Sequence, residues 1–215
     1  MIVTTSWDDG NKLDLKLGEL LDKYQMKGTF YPSPGSKKFS LEENELKQLA
    51  QFQEIGAHTI SHPQLTRISF QEAVREIKDS KEYLENLLGK EIKMFCYPYG
   101  EFNEEVKGLV GAAGFLGART VQRFWTQKPS DFFEFGTTAQ VYPLSFWQTV
   151  RFFKWPRFAG SLFNRVSKNG EIFHLWGHSW EIEKYGMWKE LESIFKYIAG
   201  RENVVYLTNS QVLQL

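Results

Sequence analysis

Short runs of β-branched and aromatic residues alternate along the chain with amphipathic stretches of helical period. This alternation is the sequence feature that most restricts the possible folds. It is typical of an α/β fold in which helices cover a mostly parallel sheet. The predicted strands are 2–7, 28–31, 55–58, 92–97, 115–120, 171–176 and 204–207. The predicted helices are 12–24, 41–54, 69–88, 104–113 and 188–199. A chain of 215 residues with this pattern and no linker predicts one domain, residues 1–215.

The helix 69–88 carries the clearest local signals. Ser69 and Glu72 have the spacing of a capping box, in which each side chain binds a backbone N–H group at the helix start. Gly89 follows the last turn, where a glycine commonly ends a helix.

The region 122–167 breaks the alternation, because it is unusually rich in aromatic residues. They are Phe124, Trp125, Phe132, Phe133, Phe135, Tyr142, Phe146, Trp147, Phe152, Phe153, Trp155, Phe158 and Phe163. We interpret the region as an insertion, and long insertions in α/β barrels often lie on the active-site face. The favoured interpretation is a covering subdomain whose aromatic residues form their own core. The alternative is an aromatic platform for sugar rings or a lipid-linked substrate.

Composition excludes several classes of protein. The 26 basic and 26 acidic residues cancel, so nothing indicates a nucleic-acid partner. The single cysteine, Cys96, excludes an intramolecular disulfide and agrees with a reducing compartment. Residues 1–7 lack the charged start of a signal peptide, and no apolar run is long enough to span a membrane. If this start is native, we expect a cytoplasmic protein; the sequence does not indicate its oligomeric state.

Asp8 and Asp9 come directly after the first predicted strand. In parallel barrels the carboxyl ends of the strands are where catalytic groups collect. Successive strand side chains alternate in direction, so one carboxylate can bind a metal while the other accepts a proton. Gly10 then allows a sharp turn. The alternative is that an aspartate here caps the following helix.

His58 is the last residue of the third predicted strand, and His62 follows four residues later. They meet on one face if the segment is helical, and a tight loop can also bring them together. Two histidines and one carboxylate leave a coordination position open for water, as in a catalytic metal site. A divalent metal there lowers the pKa of water to about 7. The alternative is two surface histidines near a turn.

A late group of polar residues surrounds the end of the sixth predicted strand. His178 lies past the end of that strand, so we expect it on the same face as Asp8 and His58, where it can act as a general acid. His174 lies within the strand and is interpreted as a core histidine. Glu181 either orients His178 or is a solvated loop residue.

Together these segments resemble the motifs of the polysaccharide deacetylase (NodB-homology) family of carbohydrate esterases. The matching segments are Ser6-Trp7-Asp8-Asp9-Gly10, His58-Thr59-Ile60-Ser61-His62, Cys96-Tyr97-Pro98-Tyr99-Gly100 and Trp176-Gly177-His178. They occur in the family's order and span 6–178, most of the chain.

The resemblance implies a distorted (β/α) barrel of about seven strands and a divalent metal, often zinc. It implies Asp9, His58 and His62 as metal ligands and Asp8 as the base. The backbone N–H of Tyr99 would then bind the oxyanion. Cobalt, nickel and iron also suit two nitrogens and one oxygen.

The implied activity is metal-dependent hydrolysis of a non-peptide carbon–nitrogen bond, with an N-acetylated sugar or glycan as the substrate. Two alternatives stay open. One is a hydrolase of a small cyclic amide or imide on the same fold, and the other is a non-catalytic barrel that binds metal or sugar.

The last two motifs match the family pattern less closely than the first two, and the main departure is at position 96. Cys96 stands where the family usually has an arginine that steers the base, and we interpret Cys96 itself as a buried, inert thiol without partners for a metal. Arg119, at the end of the fifth predicted strand, is a candidate to supply the guanidinium group from a neighbouring strand. The alternative is that Arg119 is a surface residue.

Overall fold

The computed structural model describes residues 1–141, 155–169 and 171–215, and these form the expected parallel α/β fold. The strands are β1 (Ile2–Asp9), β2 (Gly28–Pro32), β3 (Glu54–Ile55), β4 (Met94–Cys96), β5 (Gly117–Arg119), β6 (Ala139–Gln140), β7 (Ile172–Gly177) and β8 (Val205–Tyr206). The helices are α1 (Leu13–Lys23), α2 (Glu43–Leu49), α3 (Phe70–Leu88), α4 (Glu104–Ala112), α5 (Trp155–Asn169), α6 (Ser179–Lys184), α7 (Trp188–Ile198) and α8 (Asn209–Leu213).

The strands close into an irregular barrel. Six of them form one sheet in the order β3-β2-β1-β7-β6, with β8 also paired to β1, and β4 and β5 form a second sheet. All of the pairings are parallel. Single parallel bridges join the second sheet to the segments next to the edges of the first: Phe95 pairs with Ala57, just after β3, and Arg119 pairs with Phe135, before β6. The barrel is therefore distorted, because two of its seams consist of one bridge each.

The central strand β1 explains why the carboxyl ends of the strands converge. Seven of its eight residues are buried, as expected for a parallel strand that is covered on both faces. Its register pairs Asp8 with Tyr31 of β2 and Trp7 with Gly177 of β7. The ends of β1, β2 and β7 therefore lie at one rim of the barrel, where the candidate site forms.

The local signals of α3 are confirmed. Ser69 caps the helix and forms the reciprocal capping box with Glu72, and Gly89 ends it in a left-handed conformation with φ of 65°. The predicted helix 41–54 is shorter in the structure, where only Glu43–Leu49 is helical. Its remaining residues turn toward β3, which is itself only two residues long.

The region 122–167 differs from the favoured interpretation. Its described part contains the barrel strand β6 and the helix α5, neither of which was predicted. Trp155 and Phe163 of α5 belong to the same hydrophobic core as the barrel, so these aromatic residues do not form a core of their own. Residues 142–154, which include Tyr142, Phe146, Trp147, Phe152 and Phe153, lie outside the described residues.

The predicted core histidine is confirmed. His174 is fully buried in β7, where its Nε2 lies 2.6 Å from Ser6 Oγ and its Nδ1 lies 2.8 Å from the Gly136 carbonyl. Ser6 also donates to Asn209 of α8, so a polar network fills part of the barrel interior. Across the described ranges, no helix combines the length and apolar character that crossing a membrane requires.

Candidate metal centre and catalytic pocket

Asp8 and Asp9 lie at the carboxyl end of β1, and both are buried. Asp9 has a φ of 79° and Gly10 a φ of 72°, so the strand ends in two consecutive left-handed residues. A Cβ atom on Gly10 would lie 2.9 Å from the Cα atom of Pro32, which leaves room for glycine only. This turn holds the two carboxylates at the rim in different directions.

His58 and His62 meet in a loop and not on a helix. Thr59 and His62 have φ values of 65° and 61°, and this left-handed backbone folds the segment back on itself. Glu76 of α3 accepts from the backbone N–H groups of Ile60 and Ser61 at 2.8 and 2.9 Å, which holds the loop in place. The two imidazole centroids are 4.7 Å apart.

The structure brings Asp9, His58 and His62 together, with one ligand atom of each within 4.8 Å of the others. Asp9 Oδ1 is buried without a hydrogen bond among the described residues and lies 3.5 Å from His62 Nε2. His58 Nδ1 lies 2.7 Å from the Cys96 carbonyl, which leaves its Nε2 free. Burial lowers the pKa of His58 to about 4, so its imidazole is neutral near pH 7. These properties fit a divalent metal ion.

Cys96 has more neighbours than the sequence indicated, and the expectation that it lacks partners for a metal is wrong. Its thiol, Asp8 and His58 form a second group of potential ligand atoms, and Cys96 Sγ lies 3.9 Å from Asp8 Oδ2. Burial raises the pKa of Cys96 well above its usual range, which keeps the thiol protonated and disfavours it as a ligand. The set with Asp9 and His62 therefore fits a metal better.

Asp8 forms a buried ion pair with Arg119, whose Nη2 binds Asp8 Oδ1. The guanidinium carbon lies 5.5 Å from the ring centroid of Tyr31 and 4.9 Å from that of Trp176, between two aromatic walls. Burial alone would raise the pKa of Asp8, but the charge of Arg119, with smaller contributions from His58 and His178, lowers it. Asp8 is therefore ionised, and its partner comes from β5 and not from position 96.

His178 follows β7 and lies on the same rim. Its Nδ1 is 2.6 Å from Glu181 Oε2, and its Nε2 is 3.9 Å from Asp9 Oδ2. Burial alone would lower the pKa of His178, but the hydrogen bond to Glu181 and the charges of Asp8 and Asp9 raise it. These interactions favour the protonated form of the imidazole, and Nε2 is directed toward the cluster.

Three further residues at the site had no signal that singled them out in the sequence. Trp180 donates from its indole Nε1 to Asp9 Oδ2 at 2.8 Å, and Lys38 Nζ lies 3.3 Å from the same oxygen. Asp14, a buried residue of α1, accepts a hydrogen bond from Ser179 and so ties α1 to the start of α6. Only Trp180, two residues after His178, lies close enough to a motif to have been considered.

Several of these groups line a cavity of about 440 Å³ at the rim of the barrel. Its lining includes Asp8, His58, His62, Tyr99, Trp176 and His178. Tyr99 has a φ of 59° in a tight turn, and its ring packs edge-on against His62 with centroids 4.6 Å apart. The cavity thus combines a metal-type cluster, an ionised carboxylate, a histidine and aromatic walls.

The fold and the cluster define the class: a parallel α/β barrel that gathers carboxylates and histidines at the carboxyl ends of its strands. The polysaccharide deacetylase family matches residues 1–118, more than half of the 215 residues. The chain belongs to this family.

Individual relatives agree with this assignment. The chain is 31% identical over 109 residues to the peptidoglycan-N-acetylmuramic acid deacetylase of Bacillus subtilis, a match that covers 49% of the chain and 23% of that protein. It is 33% identical over 106 residues to the peptidoglycan-N-acetylglucosamine deacetylase of Bacillus cereus, covering 47% of the chain and 38% of the relative. The chain thus spans well under half the length of these curated relatives.

Solved structures extend the likeness to the whole fold. The Xyl-CE4 domain of a multidomain xylanase from the hindgut metagenome of Trinervitermes trinervoides superposes with a TM-score of 0.70 and 16% sequence identity. The superposition covers 99% of this chain and 89% of that one, so residues beyond 118 also follow the family fold.

Proposed function

We propose that this protein is a metal-dependent hydrolase that removes the acetyl group from the nitrogen of an N-acetylated sugar or glycan. The observation that carries the proposal is the cluster of Asp9, His58 and His62, whose ligand atoms lie within 4.8 Å of one another, with Asp8 beside it. The names of the relatives, which are deacetylases of peptidoglycan, support the substrate class.

Asp9, His58 and His62 would hold the metal through one oxygen and two nitrogens. When bound, the metal supplies an electrophile that polarises the acetyl carbonyl and makes water more acidic. Zinc is the proposed metal, and cobalt, nickel and iron suit the same ligand set.

Asp8 acts as the general base. Its low pKa keeps it ionised, and Arg119 binds Oδ1. Oδ2 faces the weak thiol donor of Cys96 at 3.9 Å and is the oxygen that accepts the proton of the attacking water. In this proposal Arg119 has the role of the arginine in the third family motif, whose position is occupied by Cys96 in this chain. The backbone N–H of Tyr99, whose residue borders the cavity, stabilises the negative oxygen of the tetrahedral intermediate.

His178 acts as the general acid. Glu181 binds Nδ1 and favours the imidazolium form, which leaves Nε2 directed toward the cluster to donate its proton to the leaving nitrogen. The products are acetate and a free amine. The cytoplasmic location expected from the sequence stays a prediction.

The test is acetate release from an N-acetylglucosamine tetramer by the zinc-loaded protein and by Asp8→Asn. The variant is expected to keep its metal, measured by elemental analysis, and to lose about 10²- to 10⁴-fold in kcat because it lacks the general base. Asp79→Asn, on the exposed face of α3, is the matched control and should retain full activity. Full turnover by Asp8→Asn would contradict the proposed mechanism.

A further inference from the structure

Six charged groups at the catalytic site form three pairs. Asp8 binds Arg119, and Glu181 binds His178. Lys38 Nζ lies 3.3 Å from Asp9 Oδ2 and 4.7 Å from the ring centroid of Trp180. Each of these three carboxylates therefore has a cationic partner within the site.

Arg123 lines the same cavity and belongs to none of these pairs. It follows β5 on an exposed stretch of chain, and its Nη2 donates to the side-chain oxygen of Gln140 at 2.9 Å. Within 1–141, 155–169 and 171–215, no carboxylate forms an ion pair with Arg123. A neutral amide positions its guanidinium group without cancelling the positive charge.

Gln140, which holds Arg123, is itself fixed in the barrel. It lies in β6, is only 8% exposed and pairs in register with Trp176 of β7. Its backbone carbonyl also accepts a hydrogen bond at 2.9 Å from the indole of Trp155 in α5. Arg123 is therefore anchored to a barrel strand beside the catalytic groups, unlike a surface arginine that moves freely in water.

We propose that Arg123 binds an anionic group of the substrate, a carboxylate or a phosphate carried near the reacting N-acetyl sugar. The planar guanidinium group matches the oxygen pairs of these anions and keeps donors free after it binds Gln140. This inference rests on the proposed function and narrows its substrate class. Arg123 is then a specificity-determining residue, and it takes no part in proton transfer.

The experiment compares three substrates with the zinc-loaded protein: a neutral N-acetylglucosamine tetramer, the same tetramer bearing a carboxylate ether, and the same tetramer bearing a phosphate monoester. Hydrogen bonds to charged groups are strong enough that we expect kcat/KM to be at least about tenfold higher for an anionic substrate. The anionic substrate with the larger kcat/KM relative to the neutral tetramer identifies the anion that Arg123 prefers. The preference should weaken as salt screens the exposed arginine.

Arg123→Gln should remove this preference mainly by raising KM for the anionic substrate, and should change kcat/KM for the neutral tetramer by less than about twofold. Arg123→Lys should recover part of the preference. Lys128→Gln removes the same charge from an exposed residue of the same segment outside the cavity lining, and should behave as wild type. Equal activity of the wild type on all three substrates would overturn the proposal, as would an equal loss on all three in Arg123→Gln.

Calorimetric binding of the three tetramers to wild type and Arg123→Gln separates this proposal from the proposed function. If no tetramer is deacetylated, the proposed function fails. Tighter binding of an anionic tetramer to wild type alone would still support the anion site, and identical binding of all three would contradict it.

Discussion

The two halves of the site are built in different ways. The half within residues 1–118 supplies Asp8 and Asp9 at the end of β1, and His58 and His62 on a loop that follows β3. The half beyond residue 118 supplies Arg119, the ion-pair partner of Asp8, and also His178, Glu181 and Arg123, on elements that reach the rim only when the barrel closes. The first half therefore gathers the ligand atoms, whereas the second sets the charge and the orientation of the groups around them.

The backbone also differs between the halves. Asp9 and His62 are non-glycine residues with positive φ, as is Thr59 between the histidines. Such conformations cost free energy and persist where the surrounding structure holds them. Arg119 and His178, at and just after the ends of regular strands, do not have positive φ. We expect the first half to determine metal binding and the second to tune proton transfer, and the variants below test this division.

Arg119→Leu gives the largest expected loss of stability. Removing one member of a buried ion pair leaves an unpaired charge and costs about 3–5 kcal/mol in the free energy of unfolding. In an Asp8→Asn background the same substitution should cost much less, because no buried carboxylate is left behind. Urea unfolding of the four proteins measures this coupling. Equal costs in both backgrounds would mean that the pair contributes nothing specific.

His58→Ala should weaken metal binding by more than about a hundredfold, since loss of even an outer-shell partner costs 10- to 100-fold. His178→Ala serves as the paired control and should bind metal as wild type does, because His178 Nε2 lies 3.9 Å from Asp9 Oδ2, beyond hydrogen-bond distance of this ligand. Zinc content after dialysis distinguishes the two variants. Equal loss of zinc from both variants would contradict the expectation that the first half alone determines metal binding.

Glu181→Gln should lower kcat by about tenfold and leave zinc content unchanged, because a neutral amide stabilises the protonated form of His178 less well than a carboxylate. The same exchange at Glu183, on the same short helix, is the matched control. An unchanged kcat in Glu181→Gln would indicate that Glu181 only caps a surface turn.

Asp14→Asn should have the smallest effect, and it should appear as a dependence on pH. Burial raises the pKa of Asp14 well above its usual range, so the folded protein retains a proton that the unfolded chain releases above about pH 4. Wild-type stability therefore falls as pH rises from there to the folded pKa, whereas asparagine does not titrate.

The test measures the free energy of unfolding of both proteins in urea with a chelator, from pH 4 to 8. The value for Asp14→Asn should increase relative to the wild-type value as the pH rises. A stability difference that stays constant with pH would contradict the raised pKa. The hydrogen bond from Ser179 can survive the exchange, because asparagine retains an acceptor oxygen.

Sequence patterns were informative where the structure is local. The capping box of Ser69 and Glu72 and the turn at Gly89 depend on neighbouring residues, and both were predicted. The approach of His58 to His62 also follows from a spacing of four, although the sequence left open whether a helix or a loop produces it. The short strand β6 was missed because the aromatic residues around it masked a run of only two strand residues.

Long-range contacts were harder to predict. Asp8 and Arg119 meet across 111 positions of the chain, and their contact depends on the register of two strands in different sheets. The sequence could offer Arg119 only as a candidate. Lys38 reaches Asp9 from a loop with no motif, so its position follows from the folded chain alone.

The most direct test of the account is X-ray absorption spectroscopy of the zinc-loaded protein, because two overlapping groups of side chains could hold the ion. The account predicts only nitrogen and oxygen neighbours, at about 2.0–2.2 Å, from Asp9, His58 and His62 together with water. A sulfur neighbour at about 2.3 Å would place the ion between Asp8, His58 and Cys96. That result would occupy the proposed base with metal and contradict the mechanism.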